Sequence, residues 1–213
     1  MSRNAAAREV IAIANVMDAA GFAPSKSGNV SVRTERGFLI TPTGKPYATL
    51  TPRDLVELDQ DGNVIAGKLR PSSEWRFHAC LYAAKPECNA VVHNHSPRAT
   101  ALSCARKGIP AFHYMIAIAG GMDIPCAKYA TFGTRELADN LLAAIGDRKA
   151  VLLANHGVVA CGPSLAKAWT VAKEVENLAG QYLDILASGL KPIVLDKAEM
   201  RRVIAKFADY GQK

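Results

Sequence analysis

An α/β domain with helices packed around a mixed sheet is predicted by three features of the sequence. Short apolar runs bounded by glycine, proline or aspartate, among them "VSVR", "GFLITP" and "NAVVHNH", have the length and punctuation of strands. Between them lie longer stretches with apolar residues at three- and four-residue spacing, the mark of helices with one buried face. No linker, repeat or low-complexity tract interrupts the 213 residues, so one domain spanning 1–213 is expected.

Taken in order, residues 4 to about 20 read as a helix that Gly21 stops. "VSVR" and "GFLITP" then form two strands around the tight turn "TERG". A strand at 55–58, the hairpin turn "DQDGN" and a returning strand at 64–65 follow. "PSSEWRFHACLYAAKP" is a helix that Ser72 or Ser73 can cap, with Trp75, Phe77, Cys80, Leu81 and Ala84 as its apolar stripe. "NAVVHNH" is a strand and "SPRATALSCARKG" a helix, after which "FHYMIAIAGG" and "IPCAKYATFG" read as strand-like segments joined by a glycine turn. "TRELADNLLAAIGD" is a helix opened by Thr134 and closed by Gly146. "AVLLANHGVVACG" is a buried strand, a turn and a further strand. The longest helix, "SLAKAWTVAKEVENLAGQYLDILASG", and a final one, "DKAEMRRVIAKFADYG", complete the chain.

Composition narrows the function. At 49% hydrophobic and 21% charged residues, the chain is an ordinary globular protein. No apolar stretch reaches the roughly 20 residues that span a bilayer, and the N-terminus lacks the continuous apolar core of a signal peptide, so a cytoplasmic protein is expected. The five cysteines are scattered without a C-x-x-C pair and read as small buried apolar side chains, not as a disulfide framework or thiolate metal site. The net charge of +7 is dispersed among acidic residues, with no basic run interleaved with aromatics. Nucleic acid and membrane are therefore not expected partners, and the charge favours small anions.

Chemistry concentrates in "VVHNHSP". Residues i and i+2 of a strand share a face, so His93 and His95 can converge on one ion, although such pairs also occur on strands that bind nothing. His156, in "LLANHGVV", again stands where an apolar strand meets a glycine. Three imidazoles from two strands make a facial set of neutral nitrogens, the arrangement of catalytic zinc with an open position. Glu74 lies in "PSSEW" at a helix start, where free N–H groups attract anions; the same pattern also serves as an ordinary cap. His78, four residues further on, could sit behind such a site but reads as a partly buried structural histidine. His113 would point to the far face of its strand. "SKSGNVS" and "TPTGKP" are short donor-rich loops that can cradle phosphate or be plain turns, and neither matches a nucleotide fingerprint.

Together "GNVSVR", "ITPTG", "PSSEWRFH", "VVHNH", "HYMIA", "YATFGTREL" and "NHG" follow one another in an order and spacing that resembles the class II aldolase/adducin family. The resemblance runs over nearly the whole chain, to the terminal "KFADYG". It implies a three-layer α/β/α fold with a central, largely antiparallel sheet, assembled as a C4 homotetramer with active sites at subunit interfaces. His93, His95 and His156 correspond to the ligands of one Zn²⁺ per subunit, with Mn²⁺ or Co²⁺ as alternatives. Glu74 corresponds to the catalytic acid/base. Asn29, Thr43, Gly44, Ser72 and Ser73 correspond to phosphate-binding residues, with Gly28 shaping the first loop. Tyr114 matches a tyrosine that reaches a neighbouring subunit's site, and Tyr210 a C-terminal tail that covers the substrate. The implied reaction is reversible cleavage of a ketose 1-phosphate to dihydroxyacetone phosphate and an aldehyde. L-fuculose, 5-deoxyribulose and 5-methylthioribulose 1-phosphates are the candidate substrates, the last belonging to methionine salvage. A 3-oxo-tetronate 4-phosphate decarboxylase shares the metal set. Epimerases of the family carry Asp where Glu74 stands, and adducin-like interaction modules lack the histidines. Lys26, bulky and charged, departs from the small polar loop that the resemblance implies before Gly28.

Overall fold

The computed structural model describes residues 2–208. Helix α1 (Arg3–Ala19) starts where the Ser2 hydroxyl accepts from the Ala5 N–H, and it stops before Gly21 at φ +75°. Strands β1 (Gly28–Thr34) and β2 (Gly37–Ile40) form the first hairpin, followed by β3 (Val56–Leu58) and β4 (Val64–Ala66). Helix α2 (Trp75–Ala84), strand β5 (Ala90–Asn94) and helix α3 (Pro97–Cys104) come next. The second half contains β6 (Cys126–Ala127), α4 (Arg135–Ile145), β7 (Ala150–Leu153), β8 (Gly157–Gly162), α5 (Leu165–Ala187) and α6 (Lys197–Ala208).

The strands form one eight-stranded sheet in the order β4-β3-β2-β1-β5-β8-β7-β6, antiparallel except for the β6–β7 pair. At its centre β5 and β8 are buried along their whole length, which is why both read as continuous apolar runs. Alternation sorts their side chains into two clusters. Ala90 and Val92 pack with residues of α1, α3 and α5, whereas Val91 packs with Phe77, Leu81 and Tyr82 of α2 and Leu137 and Leu141 of α4. Thr134 caps α4 by accepting from Leu137 N–H, and Ser164 caps α5 through Lys167 N–H, as their sequence positions predict; each cap contributes about 1 kcal/mol.

Three local expectations are corrected. "FHYMIAIAGG" is not strand-like: Tyr114–Ala119 is a 3-10 helix that His113 opens by accepting from Met115 N–H and that Gly120, at φ +76°, closes. A short apolar run fits either conformation, and here contacts with α5 and α6 decide. "IPCAKYATFG" keeps only the two-residue β6. Neither serine hydroxyl caps α2; Glu74 occupies the cap position, and the Ser72 hydroxyl accepts from the Glu74 N–H at 3.3 Å, one residue before the helix, while Ser72 N–H donates to Thr41 O at 3.1 Å. Of the cysteines, Cys88 and Cys161 are buried, Cys80 and Cys126 are half-buried and Cys104 is exposed.

Candidate metal centre

The β1–β5 register sets Asn29 opposite His93, and β5–β8 pairing sets His93 opposite Val159. His93 is fully buried in the strand, while His95 lies just past its end, where the chain turns away. His156 comes from the β7–β8 turn, made possible by Asn155 at φ +53°. The turn also needs Gly157: a Cβ there would stand 2.5 Å from Asn94 O and 2.8 Å from the His95 ring.

One nitrogen or more from each histidine falls within 4.8 Å of the others, and the ring centroids are 4.8 to 5.0 Å apart. His93 Nδ1 lies 3.0 Å from Val158 O, which can only accept, so the proton sits on Nδ1 and the Nε2 lone pair faces the cluster. That lone pair meets His95 Nε2 at 3.2 Å and Glu74 Oε2 at 3.1 Å; Glu74 Oε1 is 3.2 Å from His156 Nε2. Lone pairs and a carboxylate crowded this closely call for positive charge among them. The donor set therefore fits a divalent ion held by three neutral imidazoles.

Glu74 is 7% exposed. Burial disfavours its charge, whereas positive charge at the positions of His93 and then His156, together with the Asn29 amide, lowers the carboxyl to about 2; with the imidazoles neutral, a divalent ion among them would supply that charge. Burial lowers His95 to about 3 and His156 to about 4, so both imidazoles are neutral near pH 7, as metal binding would require.

A cleft of about 280 Å³ opens over the cluster, lined by Gly28, Ser73, Glu74, His95 and His156 from the sequence-based set, together with Ser27, Tyr129, Phe132 and Asn155. Thr43, Gly44 and Ser72 are not in that lining but stand close in the fold. Thr43 N–H donates to Arg70 O and Ser72 N–H to Thr41 O, which ties the "TPTG" loop to the start of α2. Asn29 lies behind the cleft, its amide engaged by Glu74 and His78. Tyr114 is half-exposed and does not line this cleft, and Tyr210 lies outside the described residues. His78 is not partly but completely buried.

Sequence reasoning assigned no role to Tyr129 and Phe132, although "YATFG" carries two aromatics in a loop. Both are more than half exposed at the cleft rim. Gly133, at φ +75°, fastens that loop to α2: a Cβ would meet Ser73 O at 2.8 Å, and Arg76 donates to the Gly133 carbonyl at 3.0 Å.

Burial, with His93 acting in the same direction, lowers His78 from the usual imidazole range to about 3. The unfolded chain takes up a proton here below about pH 6.5, whereas the folded one does not until about 3. Stability linked to His78 is thus fully present above about 6.5 and is lost as pH falls toward 3. Denaturant titrations across this window should show a shallower acid decline for His78→Gln than for the wild type; equal slopes would contradict the assignment.

A candidate metalloprotein with a buried carboxylate beside its metal ligands is the class of molecule that this sheet and site define. Residues 8–183 match the family model "Class II Aldolase and Adducin N-terminal domain", and the chain belongs to that family. It is 50% identical over 211 residues to L-fuculose phosphate aldolase of Escherichia coli (strain K12), covering 99% of this chain and 98% of the relative. It is 47% identical over 210 residues to the 5-methylthioribulose-1-phosphate/5-deoxyribulose-1-phosphate aldolase of Rhodospirillum rubrum, covering 99% and 94%. A solved structure of L-fuculose 1-phosphate aldolase superposes with a TM-score of 0.94 at 38% identity, covering 98% of each chain. The fold is the class II aldolase fold, a central, mostly antiparallel sheet with flanking helices.

Proposed function

We propose that this class II aldolase cleaves a ketose 1-phosphate to dihydroxyacetone phosphate and an aldehyde, using Zn²⁺ on His93, His95 and His156. The observation that carries the reading is the buried Glu74 carboxylate held against two of three convergent histidines at the floor of an open cleft. A bound divalent ion supplies Lewis-acid stabilisation for the negative charge that develops when the carbon–carbon bond breaks. Mn²⁺ or Co²⁺ would suit the same nitrogens less selectively.

The protein's own groups do the rest. Glu74, desolvated in the site, removes the C3 proton of the three-carbon fragment as a carboxylate in synthesis; in cleavage it first takes up a proton from solvent and, as the acid, returns it to C3. The backbone and hydroxyl donors of Thr43, Gly44, Ser72 and Ser73 hold the phosphate. Gly28 keeps the first loop close, since a Cβ there would meet His93 O at 2.9 Å, and Asn29 adds the amide hydrogen that Glu74 does not use. Fixing the phosphate fixes the reacting carbons. Tyr114 assists removal of the C4 hydroxyl proton from a neighbouring subunit of a C4 homotetramer, and Tyr210 belongs to a tail that covers the substrate. The exposure of Tyr114 supports its use outside its own subunit's cleft. We read the chain as one three-layer α/β/α domain over 1–213 in a cytoplasmic enzyme; among the described residues no helix is long and apolar enough to cross a membrane.

The test offers the purified, metal-loaded enzyme L-fuculose, 5-deoxyribulose and 5-methylthioribulose 1-phosphates and measures dihydroxyacetone phosphate. Release from at least one, abolished by a chelator, is expected. Loss of CO₂ from a 3-oxo-tetronate 4-phosphate, with none of the three cleaved, would replace the aldolase by a decarboxylase. A protein without bound metal or any turnover would return the adducin-like reading.

A further inference from the structure

Behind Glu74 runs a chain of polar side chains through the core. Asn29 Nδ2 lies 3.0 Å from Glu74 Oε2, and Asn29 Oδ1 lies 2.5 Å from His78 Nε2. His78 Nδ1 is 2.7 Å from Ser31 Oγ, which is 2.7 Å from the Tyr82 hydroxyl. All five residues are buried, with Ser31 and His78 fully so. They come from β1 and α2, far apart in sequence, and they sit between the sheet and a helix where Val, Leu or Phe would pack without a desolvation cost.

Elementary donor rules fix the direction of every bond. The Asn29 amide nitrogen donates to Glu74 Oε2, so the amide oxygen is the atom that faces His78. That oxygen only accepts, so His78 carries its proton on Nε2 and offers the Nδ1 lone pair to Ser31. Ser31 Oγ–H therefore donates to His78 and accepts from Tyr82 O–H. Burial keeps the Tyr82 phenol protonated by raising its pKa well above the ordinary range. Four successive donors thus point one way, toward Glu74 Oε2, and each bond polarises the next. Glu74 Oε1 is buried without a hydrogen-bond partner, with His156 Nε2 at 3.2 Å. The two oxygens are not equivalent.

We infer that His78 is a positioning residue: through Asn29 it locks Glu74 Oε2 as a permanent acceptor, so that Oε1 is the oxygen that carries the proton to and from the substrate carbon. This deepens the proposed aldolase reading and rests on it. Because the carboxylate cannot rotate about its last bond without breaking the chain, Oε1 stays turned toward His156, which lines the cleft. Tyr82 and Ser31 hold His78 in the one tautomer that can do this.

The test uses the full-length, metal-loaded enzyme with the ketose 1-phosphate that it cleaves best, and follows both cleavage and solvent-deuterium exchange at C3 of dihydroxyacetone phosphate. His78→Leu removes the donor to Asn29 and is expected to lower kcat and exchange by about 10- to 100-fold, with KM within about twofold and metal content unchanged. His78→Gln, whose amide N–H can reach Asn29, should recover kcat to within a few-fold of the wild type. Ser31→Ala, a small change in case His78→Leu does not fold, should lower kcat several-fold. ¹⁵N spectra of histidine-labelled protein, read with or without metal, should show His78 protonated on Nε2. Full kcat in His78→Leu or Ser31→Ala, equal losses in the Leu and Gln variants, or an Nδ1-protonated His78 would each overturn the inference. A wild type that cleaves none of the three phosphates would sink the aldolase reading instead, and the tautomer would still be readable.

Discussion

Replacing His156 with alanine is expected to strip the metal and lower cleavage by at least about 10³-fold, since metal stabilisation of the developing charge is worth several kcal/mol and each 1.4 kcal/mol is about tenfold. His156 is the informative histidine to remove. It sits in a turn with its side chain partly exposed, and its backbone is held independently by Leu153 O. His93, by contrast, is fully buried in β5 with Phe77 edge-on to its ring at 5.3 Å, so its removal would also open a core cavity. In His156→Ala the other two nitrogens remain 3.2 Å apart beside the carboxylate, but two imidazoles do not complete a tetrahedral site. Metal content and steady-state cleavage should fall together while the melting profile of the metal-free protein is preserved. Retained stoichiometric metal with more than a hundredth of the activity would remove His156 from the site.

Glu74→Gln separates binding from proton transfer. The amide is isosteric: its oxygen can accept from Asn29 Nδ2, and its nitrogen can face the side now occupied by Oε1, near His156. The three histidines are untouched, so metal is expected to stay. What disappears is the base. C3 proton exchange and cleavage should both fall by about 10² to 10⁴, the usual worth of a positioned acid/base. Exchange of the dihydroxyacetone phosphate C3 proton with deuterated water, followed by NMR, isolates the step from aldehyde chemistry. Exchange at the wild-type rate in the metal-loaded variant would take the role away from Glu74.

Much of the framework was legible because it is locally encoded. "NAVVHNH" and "AVLLANHGVV" are strands since each is short, apolar and bounded by turn residues, and the structure buries β5 and β8 entirely. Thr134 and Ser164 announce α4 and α5 through hydroxyls that cap within three residues. "FHYMIAIAGG" was not legible: six apolar-rich residues suit a strand or a tight helix, and packing against α5 and α6 makes the choice. Ser72 and Ser73 carry a good capping pattern, yet the helix starts one residue later than it implies: Ser72 is tied to Thr41, thirty-one positions away, and its hydroxyl accepts from Glu74 N–H, the cap residue itself.

For the site, the sequence by itself determined the chemistry on offer: three imidazoles placed where strands end, a carboxylate at a helix start, and loops rich in backbone donors. The tertiary structure alone decided how these act on one another. It brought His156 within ring contact of His93 and His95, set Glu74 against His93 and His156, and aimed Asn29, backed by His78, at the carboxylate. It also left Tyr114 outside the lining of the cleft. The reason is physical. Spacing along a strand or helix is set by local backbone geometry, whereas the direction of a pKa shift or a hydrogen bond depends on neighbours that sheet register and helix packing bring from 45 or more residues away.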